Sequence, residues 1–166
     1  MQTFDTSGLR VLTREECLCL LSRAPIGRIV FTDRALPAVQ PVTFHLDGER
    51  VVIRTSPGSK LAAATRRAVV AFEADEFDVD RRTGWSVTAV GHARAVQDPA
   101  EIERLSRLRL TSWAPGERNH YIVVEVEQVT GRQITRGGEA AGPQVTGTQV
   151  IRGRSNGDGR RRPPEN

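Results

Sequence analysis

Residues 54–60 read Arg-Thr-Ser-Pro-Gly-Ser-Lys and join a short apolar run to an alanine-rich run. This order predicts a strand, a tight turn at Pro57 and Gly58, and a helix whose N-cap is Ser59. The first turn of a helix has unpaired N–H groups and a partial positive charge. Because Lys60 adds a full charge beside them, the turn is a candidate anion-binding site.

Two interpretations of this turn stay open on the residues alone. In the first, it holds a phosphate group, with hydroxyl donors beside the charges of Arg54 and Lys60. In the second, it is an ordinary capped turn with a solvated lysine. The sequence holds 24 lysines and arginines, and Lys60 is the only lysine among them. The turn is not a Walker loop, because the glycine pattern of that motif is missing.

Composition limits the partners that the chain can have. At 166 residues it is long enough for one domain with its own core. Half of the net charge of +4 lies in residues 138–166, which hold five arginines and three acidic residues. The remaining body is only mildly basic, and 5% aromatic residues provide no stacking platform for single strands. We therefore expect no nucleic-acid partner.

Cysteine usage and hydropathy predict a reduced, cytoplasmic protein. Cys17 and Cys19 are two residues apart in a helical pattern, so they point to different faces and are not expected to pair. No cysteine or histidine spacing typical of a metal site is present. The sequence shows neither a signal peptide nor an apolar run long enough to span a membrane, so no membrane contact is expected.

The pattern of apolar residues predicts a mainly β (α+β) domain. One helix follows a capping box that begins at Thr13, and another follows Asp98 and Pro99. Helices do not alternate strictly with strands, so an antiparallel barrel is favoured over a parallel sheet. Six strands are predicted, at residues 27–32, 38–46, 49–55, 68–72, 84–97 and 120–134, with a hairpin turn at Asp47-Gly48. Alternation predicts the residues that share the inward face of the last two strands: Trp85, Val87, Ala89 and Gly91 on the first, and Ile122, Val124 and Val126 on the second.

Three stretches are predicted to lie outside these elements. Residues 1–12 are polar and expected to be loosely held. Residues 73–80 are acidic, and a solvated loop is favoured over a cation site because no calcium-loop spacing is present. Residues 138–166 have the Gly, Pro, Gln and Arg content typical of a disordered tail. The predicted division is therefore a domain at 1–137 and a tail at 138–166.

The order of several short motifs resembles the pyridoxamine 5′-phosphate oxidase-like family of flavin-binding proteins, and more narrowly its small actinobacterial branch. The motifs lie at residues 27–32, 40–44, 54–60 and 83–87, followed by Gly91. The resemblance spans about residues 8–136. It implies a six-stranded antiparallel split β-barrel with a few peripheral helices. It also implies a homodimer with FMN in the cleft at the subunit interface.

The resemblance further implies which residues hold the cofactor. The flavin phosphate is expected at the end of the third strand and the turn after it, at Arg54, Thr55, Ser56, Ser59 and Lys60. The isoalloxazine ring is expected along the second strand, at Gln40, Pro41, Val42 and Thr43. Trp85 and Ser86 are expected near the flavin from another strand.

By this resemblance the protein is a flavin-dependent oxidoreductase acting on a small molecule, with FMN carrying the redox chemistry. No catalytic side chain is predicted, since His45, His92 and His120 are isolated in the sequence. Two alternatives stay open: a reductase that uses a deazaflavin cofactor, and a flavin-binding protein without turnover. The oxidase of the family recognises its vitamin substrate through a C-terminal segment with arginine and histidine, which this chain lacks, so the substrate is not predicted.

Overall fold

The structure is a computed structural model that describes residues 2–56, 61, 67–110 and 119–135. The turn at Pro57 and Gly58, Ser59, Lys60 and the tail at 138–166 lie outside the described residues. The described residues form eight strands and two helices. The strands are β1 Thr3–Phe4, β2 Arg10–Val11, β3 Ile26–Asp33, β4 Leu36–Asp47, β5 Arg50–Thr55, β6 Val69–Asp78, β7 Thr83–Ala95 and β8 His120–Ile134; the helices are α1 Arg14–Arg23 and α2 Pro99–Ser106.

Six of the strands form a closed ring in which every pairing is antiparallel. The order is β8–β5–β4–β3–β6–β7, and β7 pairs with β8 to close the ring. The closure confirms the predicted six-stranded antiparallel split β-barrel with peripheral helices. A register shift marks a bulge in β8 at Glu127, because Val90 pairs with Gln128 and the next residue, Gly91, pairs with Val126. There the position of a Cβ on Gly91 lies 1.7 Å from the carbonyl oxygen of Glu125, so β7 and β8 can pair only with glycine at this position.

Helix α1 begins as its sequence predicts. The Thr13 side chain accepts from the backbone N–H of Glu16 at 3.3 Å, and the Glu16 side chain accepts from the N–H of Thr13 at 2.8 Å. The helix ends before Pro25, and it buries Cys17 and Leu21 completely. One face of the helix therefore packs on the core of the ring, while Glu15, Cys19 and Ser22 on the other face are exposed.

The core is divided between the inside of the ring and a smaller cluster on its outer face. The inner cluster includes Phe72, Val87 and Ile122, which are fully buried. The predicted inward face of β7, at Trp85, Val87, Ala89 and Gly91, is confirmed by its burial pattern. The predicted inward face of β8 is confirmed likewise, since Ile122, Val124 and Val126 belong to the inner cluster. On the outside, Val52, Tyr121 and Val123 are covered by leucines of α2 and the segment after it.

Residues 2–12, the described part of the predicted loose segment 1–12, are ordered by strand pairing, contrary to the prediction. β1 and β2 form a hairpin, and β2 pairs with β8 through Arg10 with Gln133 and Val11 with Arg132. The Arg10 side chain also donates to Gln133 Oε1 at 2.6 Å. These strands are two residues long, so their order comes from the neighbouring strand β8 rather than from a local pattern.

The acidic stretch is not a loop through its whole length, so that prediction was also wrong. β6 continues to Asp78, with Phe72 and Ala74 facing inward and Glu73 and Asp75 facing outward. Arg28 of the neighbouring strand lies 3.0 Å from Glu73 and 3.3 Å from Asp75. The positive charge of Arg28 compensates the negative charges of the two carboxylates on the neighbouring strand. The acidic sequence can therefore continue as a strand.

Candidate functional site

Strands β4 and β5 separate at the residues that the sequence assigns to the cofactor. Their pairing runs from Asp47 with Arg50 to Phe44 with Ile53 and stops there. Beyond that point β4 pairs with β3, and β5 pairs with β8 as far as Thr55 with His120. The two strands therefore open a gap whose first residues on either side are Thr43 and Arg54.

Arg54, Thr55 and Ser56 form the β5 side of this opening. Arg54 lies on the outer face, donates to Asn119 Oδ1 at 3.3 Å, and stands 6.0 Å from the centre of the Tyr121 ring. Thr55 faces inward and is only 4% exposed, the one polar residue in the described core. Ser56 is half-buried. The end of β5 thus carries the Arg54 guanidinium on its outer face and the Thr55 hydroxyl on its inner face, with the Ser56 hydroxyl at the next position.

Gln40, Pro41, Val42 and Thr43 form the β4 side. They pair with residues 26–29 of β3, and no other strand in the described part of the chain pairs with them. In an antiparallel pair, alternate residues direct their backbone groups away from the partner. Proline suits such an edge because it has no N–H to leave unpaired. Gln40 and Pro41 are exposed, while Val42 and Thr43 are half-buried.

Trp85 and Ser86 lie on the other side of the ring. β7 is separated from β4 by two strands in each direction, β3 and β6 one way and β5 and β8 the other. The Trp85 side chain is 8% exposed and belongs to the inner core. Ser86 faces outward and lines a trough of about 270 Å³ with Thr88, Thr130 and Arg132. The structure therefore brings the β4 and β5 residues together and holds the β7 residues apart from them.

A second arginine near the opening was missed by the sequence reasoning. Arg67 lines a cavity of about 410 Å³ with Arg94 and Gln97. Two contacts connect this cavity to Arg54. Val96, which lies between the lining residues Ala95 and Gln97, donates its N–H to the carbonyl of Tyr121, and Tyr121 pairs with Arg54 in the sheet. The signal in the sequence was the arginine pair at 66–67 after the alanine run. Arg67 has a φ of +52°, a left-handed conformation that is uncommon outside glycine.

Charges around the cavity and the outer sheet are largely paired. Arg94 donates to both carboxylate oxygens of Glu101, at 2.9 and 2.7 Å, and this contact lowers the pKa of Glu101 and raises that of Arg94. Burial raises the pKa of Glu73, although Arg28 opposes the shift. The effect of burial is the larger one, because the Arg28 guanidinium is shared between Glu73 and Asp75 and compensates Glu73 only in part.

The described residues form no metal centre, and their buried thiol is not activated. Burial raises the pKa of the Cys17 thiol, which disfavours the reactive thiolate. His92 is engaged by Glu127. Among the described residues no three histidine, cysteine, aspartate or glutamate side chains are grouped to hold a metal ion. Within the same residues, no helix has the length and apolar character needed to cross a membrane.

Comparison with known proteins identifies the class to which this ring belongs. A family model described as pyridoxamine 5′-phosphate oxidase matches residues 13–133. Rv0080 of Mycobacterium tuberculosis, an uncharacterized protein, is 41% identical over 128 residues, covering 74% of this chain and 84% of the relative. The structure of the FAD binding protein from Mycobacterium smegmatis is 36% identical and covers 74% of this chain and 95% of that one, with a TM-score of 0.64.

A third comparison supports the fold alone. The FAD-binding protein from Mesorhizobium loti is 24% identical, with a TM-score of 0.63 over 76% of this chain and 99% of that one. The fold and the matches thus define a split-barrel protein. The chain belongs to the pyridoxamine 5′-phosphate oxidase family, which confirms the resemblance found in the motifs.

Proposed function

We propose that this protein binds a flavin in the opening between β4 and β5 and uses it to oxidise or reduce a small molecule. The observation that carries the proposal is the divergence of the two strands at Thr43 and Arg54, the residues between which the family resemblance places the cofactor. The FAD binding protein from Mycobacterium smegmatis, 36% identical, supports a flavin rather than another ligand.

The residues at the opening suit a flavin. The unpaired edge of β4 offers backbone donors and acceptors to the polar rim of a flat ring, while Val42 offers an apolar contact. Arg54 and the Ser56 hydroxyl suit a phosphate group at the end of β5, beside the turn that holds Ser59 and Lys60. When bound, a flavin supplies hydride or electron transfer itself. The chain's own task is to bind and orient the ring and to exclude water.

We further propose that the active form is a homodimer. A ring lying along β4 cannot also contact Ser86, because two strands separate β4 from β7 in either direction and the core fills the barrel between them. Both sets of residues can contact one flavin only if they come from two protomers. The resemblance implies this arrangement, with the cofactor between two barrels.

FMN is the cofactor that the resemblance implies, and FAD is the second candidate. The similar structure that favours FAD is that of the FAD binding protein from Mycobacterium smegmatis, which is 36% identical. Both flavins share the ring and the first phosphate, so the opening suits either. FAD adds a second phosphate and an adenosine, for which the cavity beside Arg67 offers positive charge and about 410 Å³ of space.

The first experiment is an absorbance spectrum of the purified protein, followed by titration with FMN, FAD and the deazaflavin cofactor. Saturation by FMN or FAD at one molecule per chain supports the proposal. Binding of the deazaflavin alone would move the protein to a different reductase class, and binding of none would overturn the proposal. Turnover of the bound flavin with nicotinamide donors and small electron acceptors then separates an oxidoreductase from a protein that only holds flavin.

The shared site is tested with mixed dimers. Arg54→Gln removes the charge on β5, and Ser86→Trp fills the trough on β7. If each site uses β5 of one protomer and β7 of the other, refolding the two variants together restores about a quarter of the sites, because half of the dimers are mixed and each has one intact site. Recovery of no sites would show that both residues act within one protomer, whereas a residue that does not act would already be recognised by normal flavin binding of its single variant.

A further inference from the structure

A pocket next to the candidate cofactor strand has an ionic character that the proposed function does not use. It measures about 310 Å³ and lies between the end of α1, the middle of β4 and the segment that follows α2. Its polar lining comes from three elements: Ser22, Thr43, His45 and Arg109. Thr43 belongs to both the pocket and the strand assigned to the flavin ring, so a molecule in the pocket would lie beside that ring.

Arg109 is held at this pocket by its neighbours. Leu108 and Leu110, on either side of it, pack into the outer cluster beneath α2. The backbone is fixed as well, because Leu108 N–H donates to the Leu105 carbonyl at 3.0 Å and Leu110 N–H donates to Leu108 at 2.8 Å. With both flanking side chains directed inward, the Arg109 side chain is directed out of the cluster and lines the pocket.

The positive charge of Arg109 is not neutralised by a described carboxylate. Asp47 lies two residues beyond His45 on the same face of β4, but it is already engaged by Arg50 at 2.7 Å and Arg104 at 2.9 Å. The end of α1 adds a partial negative charge of about half a unit. A full guanidinium charge exceeds that half charge, so the pocket stays positive.

Two further groups can donate to a bound anion. The Thr43 hydroxyl and an imidazole N–H of His45 lie on the outer face of β4, two residues apart. The Ser22 hydroxyl does not count as a donor, because it already donates to the Cys19 carbonyl at 2.7 Å. One guanidinium and two neutral donors around a space of this size form a set suited to a carboxylate or phosphate group.

We propose that this pocket binds the anionic group of the molecule on which the flavin acts, with Arg109 as its charged anchor. The inference rests on the proposed function, because it places the substrate by its distance from the flavin strand. It restricts the substrate to a small molecule with a carboxylate or phosphate group. Arg109 would orient the substrate and take no part in the redox step.

The test measures anion binding and flavin binding separately. Inorganic phosphate and acetate are titrated into the isotope-labelled protein at constant ionic strength, and the amide signals of Ser22, Thr43 and His45 are followed. We expect saturable shifts with at least one of the two anions, and the one that binds identifies the group. Arg109→Gln should weaken this binding by about tenfold or more, the effect of losing a charge-assisted hydrogen bond.

Arg107→Gln is the matched control, since it removes the same charge two residues away, where Arg107 is paired with Glu103. It should leave the shifts unchanged. Absence of saturable shifts with both anions, or equal weakening in the two variants, overturns the inference. Flavin titration of the same proteins tests the proposed function independently. A wild-type protein that binds flavin but neither anion refutes only the pocket, while a wild-type protein without flavin affinity refutes the proposed function.

Discussion

Arg54→Gln is the substitution that most directly tests the opening between β4 and β5. The Arg54 side chain stands on the outer face at the end of β5, with a 3.3 Å bond to Asn119 and the Tyr121 ring 6.0 Å away. A hydrogen bond to a charged group contributes about 1.5–3 kcal/mol. If Arg54 contacts the flavin phosphate, its loss should therefore raise the Kd of the flavin roughly 10- to 150-fold.

Arg50→Gln is the control, because Arg50 lies on the same strand and the same face and carries the same charge. Four residues of strand place it roughly 13 Å from Arg54. Two charges at that distance in water interact by about 0.3 kcal/mol before screening, and the separation exceeds the Debye length of ~8 Å at physiological salt. Arg50 is also paired with Asp47 at 2.7 Å. Its loss should change flavin affinity by less than about twofold.

The assay is flavin titration by absorbance and fluorescence at 0.15 M salt, with thermal unfolding of each variant as a check on folding. An Arg54→Gln protein that melts cooperatively and binds flavin within twofold of the wild type would refute the phosphate assignment. Equal weakening by Arg50→Gln would refute it differently, because the effect would then reflect net charge rather than a contact. The difference in flavin affinity between the wild type and Arg54→Gln should also shrink as the salt concentration is raised, because the interaction that the substitution removes is ionic.

Four other outcomes are expected. Lys60→Ala should weaken flavin binding by roughly 1–3 kcal/mol, and an unchanged Kd would remove Lys60 from the site. Gly91→Ala should lower the free energy of unfolding in urea by about 1–3 kcal/mol or more, because its Cβ would lie 1.7 Å from a backbone oxygen of β8; a normal midpoint would contradict the bulge. The hydrogen bond to Arg104 is the main cause that lowers the pKa of Asp47 in the folded protein. The ionised Asp47 should therefore stabilise the fold fully above its ordinary pKa of 3.8, and this stabilisation should disappear as the pH falls through the lower folded value. A difference in unfolding free energy between the wild type and Asp47→Asn that persisted in strong acid would contradict this. Removal of residues 138–166 should leave the flavin Kd unchanged, and loss of binding would give the tail a role.

The elements that the sequence predicted well are those whose signals are local. The capping box at Thr13, the Asp47-Gly48 turn and the inward residues of β7 and β8 are each specified within a few positions. The ring could be expected because the strands are long, antiparallel and hairpin-connected. The β4–β5 opening could not, because each strand pattern continues past the point at which the pairing stops.

The wrong predictions share one physical cause, which is that a distant strand supplies the missing stabilisation. The acidic residues 73–80 predict a loop, because carboxylate side chains disfavour strands. The alternation of Val70, Phe72 and Ala74 was present, but the compensating Arg28 lies more than forty positions earlier. β1 and β2 are too short to show a period of two, and β8 orders them by pairing.

Trp85 and Ser86 are neighbours on β7, but one packs in the core and the other lies on the surface. Trp85 is 8% exposed within the inner core, so replacing it would leave a cavity and change flavin binding through the stability of the barrel. Ser86, one residue later, faces outward onto the trough and carries no share of that core. Alternation along β7 thus places a packing residue and a surface residue side by side. Of the two, only Ser86 is placed to test the proposed cofactor site, since an altered flavin affinity on its replacement would indicate a contact from the β7 strand.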